Sequence, residues 1–126
     1  MDKEQGFSFL EIIIVIAIIG VITLFTFPSY QNIITRARRS DGQQALMSLA
    51  NKMELYYALH QNYQGFKLEN SPFSEGGWYF LRIRQQTETN YALEAIPRQA
   101  QAIQDAACQI LTFNSLGVKG SKECWP

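Results

Sequence analysis

Residues 7–30 read FSFLEIIIVIAIIGVITLFTFPSY, and from Ile12 to Phe27 no side chain is charged or carries an amide. A helix over this stretch, at about 1.5 Å per residue, reaches roughly 36 Å and can cross a hydrocarbon core of about 30 Å. The stretch therefore reads as a membrane-spanning helix. An ordinary secretory signal has a shorter apolar region that follows a basic segment and ends in small residues at a cleavage site, and this stretch lacks that pattern. Because residues 29–35 remain compatible with helix, Pro28 is expected to kink the helix without ending it.

Outward from this segment the texture becomes that of an ordinary globular protein. The chain has 126 residues, so fewer than about 100 remain for a single soluble domain. Formal net charge is zero, which excludes a global field that would recruit nucleic acid or an anionic membrane, and any polyanion contact must be local. The two cysteines, Cys108 and Cys124, are expected to form one structural disulfide in an oxidising compartment. A pair of reduced cytosolic thiols is the alternative that the N-terminal segment disfavours.

Glu11 is the anomaly of the apolar stretch, since a carboxylate inside a span is costly and residues of this kind usually serve a function. Either it lies near enough to the interface to stay hydrated, or it needs a cationic partner. Cutting the chain after Gly6 would supply one, by creating a positive amine on Phe7 one helical turn before Glu11.

These residues carry a family resemblance. MDKEQGFSFLEIIIVIAIIGVI, residues 1–22, resembles the class III signal of type IV pilins and pseudopilins: a glycine, an aromatic residue, and a glutamate fifth after the cut. The resemblance implies that a prepilin peptidase cleaves between Gly6 and Phe7 and methylates the Phe7 amine, so the apolar segment stays in the mature chain. It further implies that Gly20 and Pro28 weaken the helix for assembly, and that Glu11 of one subunit meets the Phe7 amine of a neighbour. Two features depart from the family pattern: the leader carries Asp2 and Glu4 against Lys3, and Phe9 stands where a smaller aliphatic residue is commoner. Arg36, Arg38 and Arg39 lie beyond the span, where a positive-inside count favours the opposite orientation. Orientation therefore rests on the resemblance.

After Pro28 the residues Leu46, Leu49, Ala50, Met53, Tyr57 and His60 recur at helical spacing. The helix is expected to become amphipathic there and to pack on a sheet. Gly42 is expected to weaken it locally. A connecting loop is expected over 64–77, with strands near 78–84, 91–96 and 109–114. CQILTFNSLGVKGSKECW, residues 108–125, resembles the disulfide-bounded region of PilE-like pilins. The implied fold class is α+β, a long N-terminal α-helix packed on a small antiparallel β-sheet with that region at the C-terminus. The implied partition is a leader at 1–6, an apolar assembly half at 7–30, and a globular domain at 31–126.

Chemistry of other kinds is poorly represented. His60 lies within the helix beside no nucleophile motif, so no catalytic residue is assigned. Two cysteines and one histidine without close-spaced pairs make a poor metal signature, and no cofactor pattern is found. GVKGSK at 117–122 lacks the spacing of a phosphate loop and reads as a turn.

The function implied is a structural subunit, major or minor, of a type IV pilus serving adhesion, twitching motility or DNA uptake. A type II secretion pseudopilin is the nearest alternative, and a membrane-anchored periplasmic binding protein is more distant. Implied partners are other pilin subunits, the prepilin peptidase, the pilus assembly machinery and, before assembly, the inner membrane, with the globular domain in the periplasm. Direct DNA binding through Arg36, Arg38 and Arg39, or Lys119 and Lys122, is the less favoured reading, since charge patches usually only solvate a surface.

Overall fold

The computed structural model describes residues 5–126. The expected leader at 1–6 falls for the most part outside the described residues. By their contacts the residues divide into two compact units, with the division between Ile34 and Thr35.

One helix, α1 (Phe9–His60), runs through both units and continues through Pro28. In the first unit its apolar side chains are exposed all round, from Phe9 to Phe27. It is the one helix among the described residues long and apolar enough to cross a membrane. Isoleucine and valine are mediocre helix formers in water, but within lipid every backbone polar group must be satisfied inside the segment, which makes the helix the required conformation. Near Pro28 two threonines bond back to the helix, Thr23 Oγ1 donating to the Ile19 carbonyl at 2.7 Å and Thr26 Oγ1 to the Thr23 carbonyl at 3.3 Å.

In the second unit α1 buries one face. Thr35, Gly42, Gln43, Leu46, Leu49, Ala50 and Met53 recur at helical spacing and are buried. They pack on the sheet β1 (Tyr79–Gln86), β2 (Tyr91–Pro97), β3 (Leu111–Asn114) and β4 (Lys119–Gly120), whose strands lie in chain order and pair antiparallel throughout. Tyr79 and Leu81 of β1, Tyr91, Leu93 and Ala95 of β2, and Leu111 of β3 supply the sheet side of the core. This period-2 pattern leaves the alternate residues on the other face.

The architecture agrees with the α+β expectation, and three of the four strands fall where the alternation placed them. The fourth, β4, has two residues, too few for an alternating pattern, and it occupies what reads as a turn. A short helix α2 (Gln99–Gln104) follows β2. Its sequence QAQAIQ carries too little apolar periodicity to announce it. His60, placed by spacing on the apolar face, is instead exposed, with its ring stacked on Tyr56 at 4.1 Å. By phase His60 lies nearly in line with Met53, so its exposure arises because the last turns of α1 run past the buried core, whose final helical member is Met53. Cys108 and Cys124 form a disulfide, which ties the approach to β3 to the segment after β4. Trp125 follows it, its indole N–H donating to the Gly120 carbonyl at 2.9 Å.

Candidate functional site

The residues expected to act in processing and assembly lie at the start of the first unit. Gly6 and Phe7 precede α1, and Phe7 is 81% exposed. Glu11 occupies the first turn of the helix, where the N-terminal end of the helix dipole favours a carboxylate. Gly20 lies inside the helix with nothing within 4 Å of where a side chain would begin, and Pro28 lies inside it too. Gly6 and Phe7 are thus on accessible, non-helical chain, and Glu11, Gly20 and Pro28 share one helix. In the uncut chain the Phe7 nitrogen belongs to a peptide bond, so the expected pairing with Glu11 would require cleavage after Gly6.

The second unit decides which of its basic groups remain free for an anion. Arg39 is committed to Asp105, with Nε donating to Oδ2 at 2.9 Å and Nη2 to Oδ1 at 2.6 Å, and the Asp105 side chain is 3% exposed. The hydrogen bond to Asp105 raises the Arg39 pKa above its ordinary value, against the opposing effect of burial. Lys52 pairs with Glu69, and Arg82 and Arg84 lie against Glu94.

Among the described residues, Arg36, Arg38, Lys67, Arg98, Lys119 and Lys122 form no ion pair. Three of them rest on aromatic rings: Arg38 on Trp78 at 3.8 Å, Arg98 on Phe73 at 4.3 Å and Lys119 on Trp125 at 5.1 Å. A ring holds a cation in place without cancelling its charge. Arg36 lines a groove with Gln43, Glu123 and Trp125, which brings it to the C-terminal segment that carries Lys119 and Lys122. The sequence candidates therefore separate. Arg36, Arg38, Lys119 and Lys122 stay available, whereas Arg39 is structural.

Several contacts that set this arrangement are silent in sequence. Gln101 of α2 is fully buried, and its Nε2 lies 3.1 Å from the Thr35 carbonyl, 3.0 Å from the Tyr79 hydroxyl and 3.2 Å from Asp105 Oδ2. With Arg39 it fastens α2 to α1 and β1. Gly42 lies so close to the Tyr79 ring that a Cβ there would be 2.7 Å from it. Glu54 accepts from the hydroxyls of Tyr63, at 3.1 Å, and of Tyr91, at 3.0 Å. Burial, then the carboxylate, pushes the Tyr63 pKa up to about 12. Helix register alone puts Arg39 and Gly42 three residues apart on α1, which was the available signal, but their partners are 66 and 37 residues away in the chain.

Residues 28–112, more than half of the chain, match the model of the family described as "Type IV minor pilin ComP, DNA uptake sequence receptor". The chain belongs to this family of type IV minor pilins. The pilin's residues 1–27 match the prokaryotic N-terminal methylation motif. It is 34% identical over 55 residues to the prepilin peptidase-dependent protein D of Escherichia coli, covering 44% of this chain and 38% of that one. It is 36% identical over 55 residues to the type IV major fimbrial protein FimA of Dichelobacter nodosus, covering 44% and 32%. The match thus spans only about a third of these curated relatives' lengths.

Among solved structures, a type IV pilin from Shewanella oneidensis superposes with a TM-score of 0.53 at 26% identity, covering 73% of this chain and 98% of that one. The non-core minor pilin PilV of Neisseria meningitidis, at 18% identity, shares the fold with a TM-score of 0.57 over 69% of this chain and 85% of that one. The family and the fold are thus those of structural pilus subunits. The pilin's methylation motif and apolar helix fit a membrane-anchored protein that assembles into an extracellular pilus.

Proposed function

We propose that this pilin is carried in the type IV pilus as a receptor for duplex DNA and serves DNA uptake. The observation that carries the reading is the match of residues 28–112 to a family described as a DNA uptake sequence receptor. Support comes from the charge distribution. Net charge is zero, yet the second unit keeps Arg36, Arg38, Arg98, Lys119 and Lys122 out of ion pairs, three of them seated on aromatic rings. Accessible cations outside ion pairs neutralise backbone phosphates and release counterions.

The anchor completes the reading. A prepilin peptidase cuts between Gly6 and Phe7 and methylates the Phe7 amine. The span at 7–30 holds the chain in the inner membrane, with the globular part at 31–126 in the periplasm, until the assembly machinery extracts it. Glu11 then pairs with the Phe7 amine of a neighbouring subunit, and Gly20 and Pro28 let the helix adjust in the filament. Two unit charges about 4 Å apart attract by roughly 4 kcal/mol at an effective dielectric near 20, before desolvation is subtracted. The net is smaller, but it selects register.

The test is fluorescence anisotropy of a labelled duplex titrated with the full chain in nonionic detergent, across a salt series. Binding is expected at low salt, with a slope of log K against log salt that shrinks by about 0.9 for each phosphate contact removed by Arg36→Ala, Arg38→Ala, Lys119→Ala or Lys122→Ala. No binding even at low salt would overturn the reading.

A further inference from the structure

The face of the sheet turned away from α1 carries a charged cluster that the free-cation set above leaves out. On β2, Tyr91, Leu93 and Ala95 point into the core, so Ala92, Glu94 and Ile96 lie on the opposite face. Glu94 is nevertheless only 5% exposed, because arginines cover it. Arg82 is its register partner on β1. Arg82 Nε donates to Glu94 Oε2 at 3.0 Å, and Nη2 donates to the same oxygen. The pairing of β1 with β2 then shifts between Ile83 and Gln85, which makes Arg84 the extra residue of a β-bulge. A bulge re-aims a side chain, and here Arg84 Nε comes within 3.7 Å of Glu94 Oε1.

Two guanidiniums thus share one carboxylate, and the cluster keeps a formal charge of +1. The arginine side chains remain 53% and 69% exposed while the carboxylate beneath them is 7% exposed. Arg82 uses Nε and Nη2 on Glu94 and leaves Nη1 without a partner among the described residues, and the terminal nitrogens of Arg84 likewise donate to none of them. Burying a carboxylate on an outer face is costly unless its partners are well placed. What the burial achieves is orientation, above all of Arg82, since a guanidinium hydrogen-bonded along one edge has already lost much of the rotamer freedom that a ligand would otherwise remove, while Arg84 is drawn toward the same carboxylate by charge. Its free edge then matches the paired oxygens of a phosphate.

We propose that Arg82 and Arg84, oriented by Glu94, form a phosphodiester-binding site for the backbone of duplex DNA on the outer face of β1. The inference rests on the DNA-binding reading above. Arg82 and Arg84 contact the phosphate, and Glu94 is a positioning residue.

The experiment is the same anisotropy titration of the full chain in detergent, from about 50 to 200 mM salt, where phosphate contacts are most visible. Arg82→Gln with Arg84→Gln is expected to weaken binding and to reduce the salt slope by up to about 1.8, the value for two contacts. Glu94→Gln separates the two roles that the carboxylate can play. It adds one positive charge, so a carboxylate that merely neutralises predicts tighter binding and a steeper slope. Positioning predicts several-fold weaker binding and a shallower slope. Arg82→Lys with Arg84→Lys keeps the charge but loses the fork, and is expected to weaken binding and to remove the penalty of Glu94→Gln.

Melting curves of each variant check that the sheet is intact. Tighter binding by Glu94→Gln, or an unchanged slope in the double glutamine variant, would overturn the site while leaving DNA binding by wild type in place. Absence of wild-type binding at low salt would overturn the DNA reading itself, and this one with it. Displacement of bound duplex from these arginines by phosphatidylglycerol micelles at equal phosphate concentration would assign the site to a lipid headgroup and overturn the assignment to DNA.

Discussion

Replacing Gly42 by alanine sets two effects of opposite sign against each other. In an exposed helix the change stabilises by about 1 kcal/mol, because glycine is the poorest helix former after proline. In this fold Gly42 is buried where α1 approaches β1, and a Cβ there would lie 2.7 Å from Cγ and Cδ2 of Tyr79 and 2.9 Å from Cε2. The ring has no room to retreat. Tyr79 is 0% exposed, its hydroxyl lies 3.0 Å from Gln101 Nε2, and its backbone N–H donates to Ser74 Oγ at 3.1 Å. Overpacking a closed site costs about 1–3 kcal/mol, and a ring held at both ends places this case near the upper figure. Subtracting the helix gain leaves a net loss of about 2 kcal/mol. For a domain of this size the melting temperature should fall by roughly 8–16 °C. Thermal unfolding of the full chain in nonionic detergent, followed by near-UV circular dichroism, measures it. A melting temperature equal to or above that of wild type would refute the reasoning and reduce Gly42 to a local helix weakener.

Asp105→Asn leaves the Arg39 guanidinium without its carboxylate in a largely buried site, and is expected to cost roughly 3 kcal/mol, the scale for breaking a buried pair, read as a lower urea midpoint at unchanged slope. The raised Tyr63 pKa gives a pH dependence. A hydroxyl lifted from 10.0 to about 12 by burial and by Glu54 stabilises the fold fully below pH 10, and that stability is lost as pH rises through about 12. Tyr91 is raised by the same two causes. Melting temperature should therefore be flat up to about pH 10 and fall above it, and Glu54→Gln should shift the tyrosinate absorbance titration to lower pH. In the membrane unit, Glu11→Val is expected to insert and to be cut after Gly6 but to enter filaments poorly. Cleavage is followed by the size shift on gels and incorporation by blotting sheared pili, and wild-type incorporation would refute the pairing with the Phe7 amine.

The sequence by itself determined the features that depend on local pattern. Sixteen or so consecutive uncharged apolar residues can only be a helix in lipid, and the glycine, aromatic and glutamate at positions 6, 7 and 11 form a linear motif that needs no fold to be read. The amphipathic half of α1 and three strands were legible because period 3.6 and period 2 persist over enough residues to count. The two-residue β4 and the glutamine-rich α2 escaped because neither is long enough to show a period. Tertiary structure alone decided the fate of the charges. Arg36, Arg38 and Arg39 look alike in the chain, yet Arg39 is claimed by Asp105, Arg38 sits on Trp78, and Arg36 faces the C-terminal groove. Nothing near Arg82 and Arg84 in sequence foretells that a bulge will set both over Glu94. Whether a cation is free or neutralised depends on partners brought in from distant strands and helices, and these are the contacts that local periodicity does not encode.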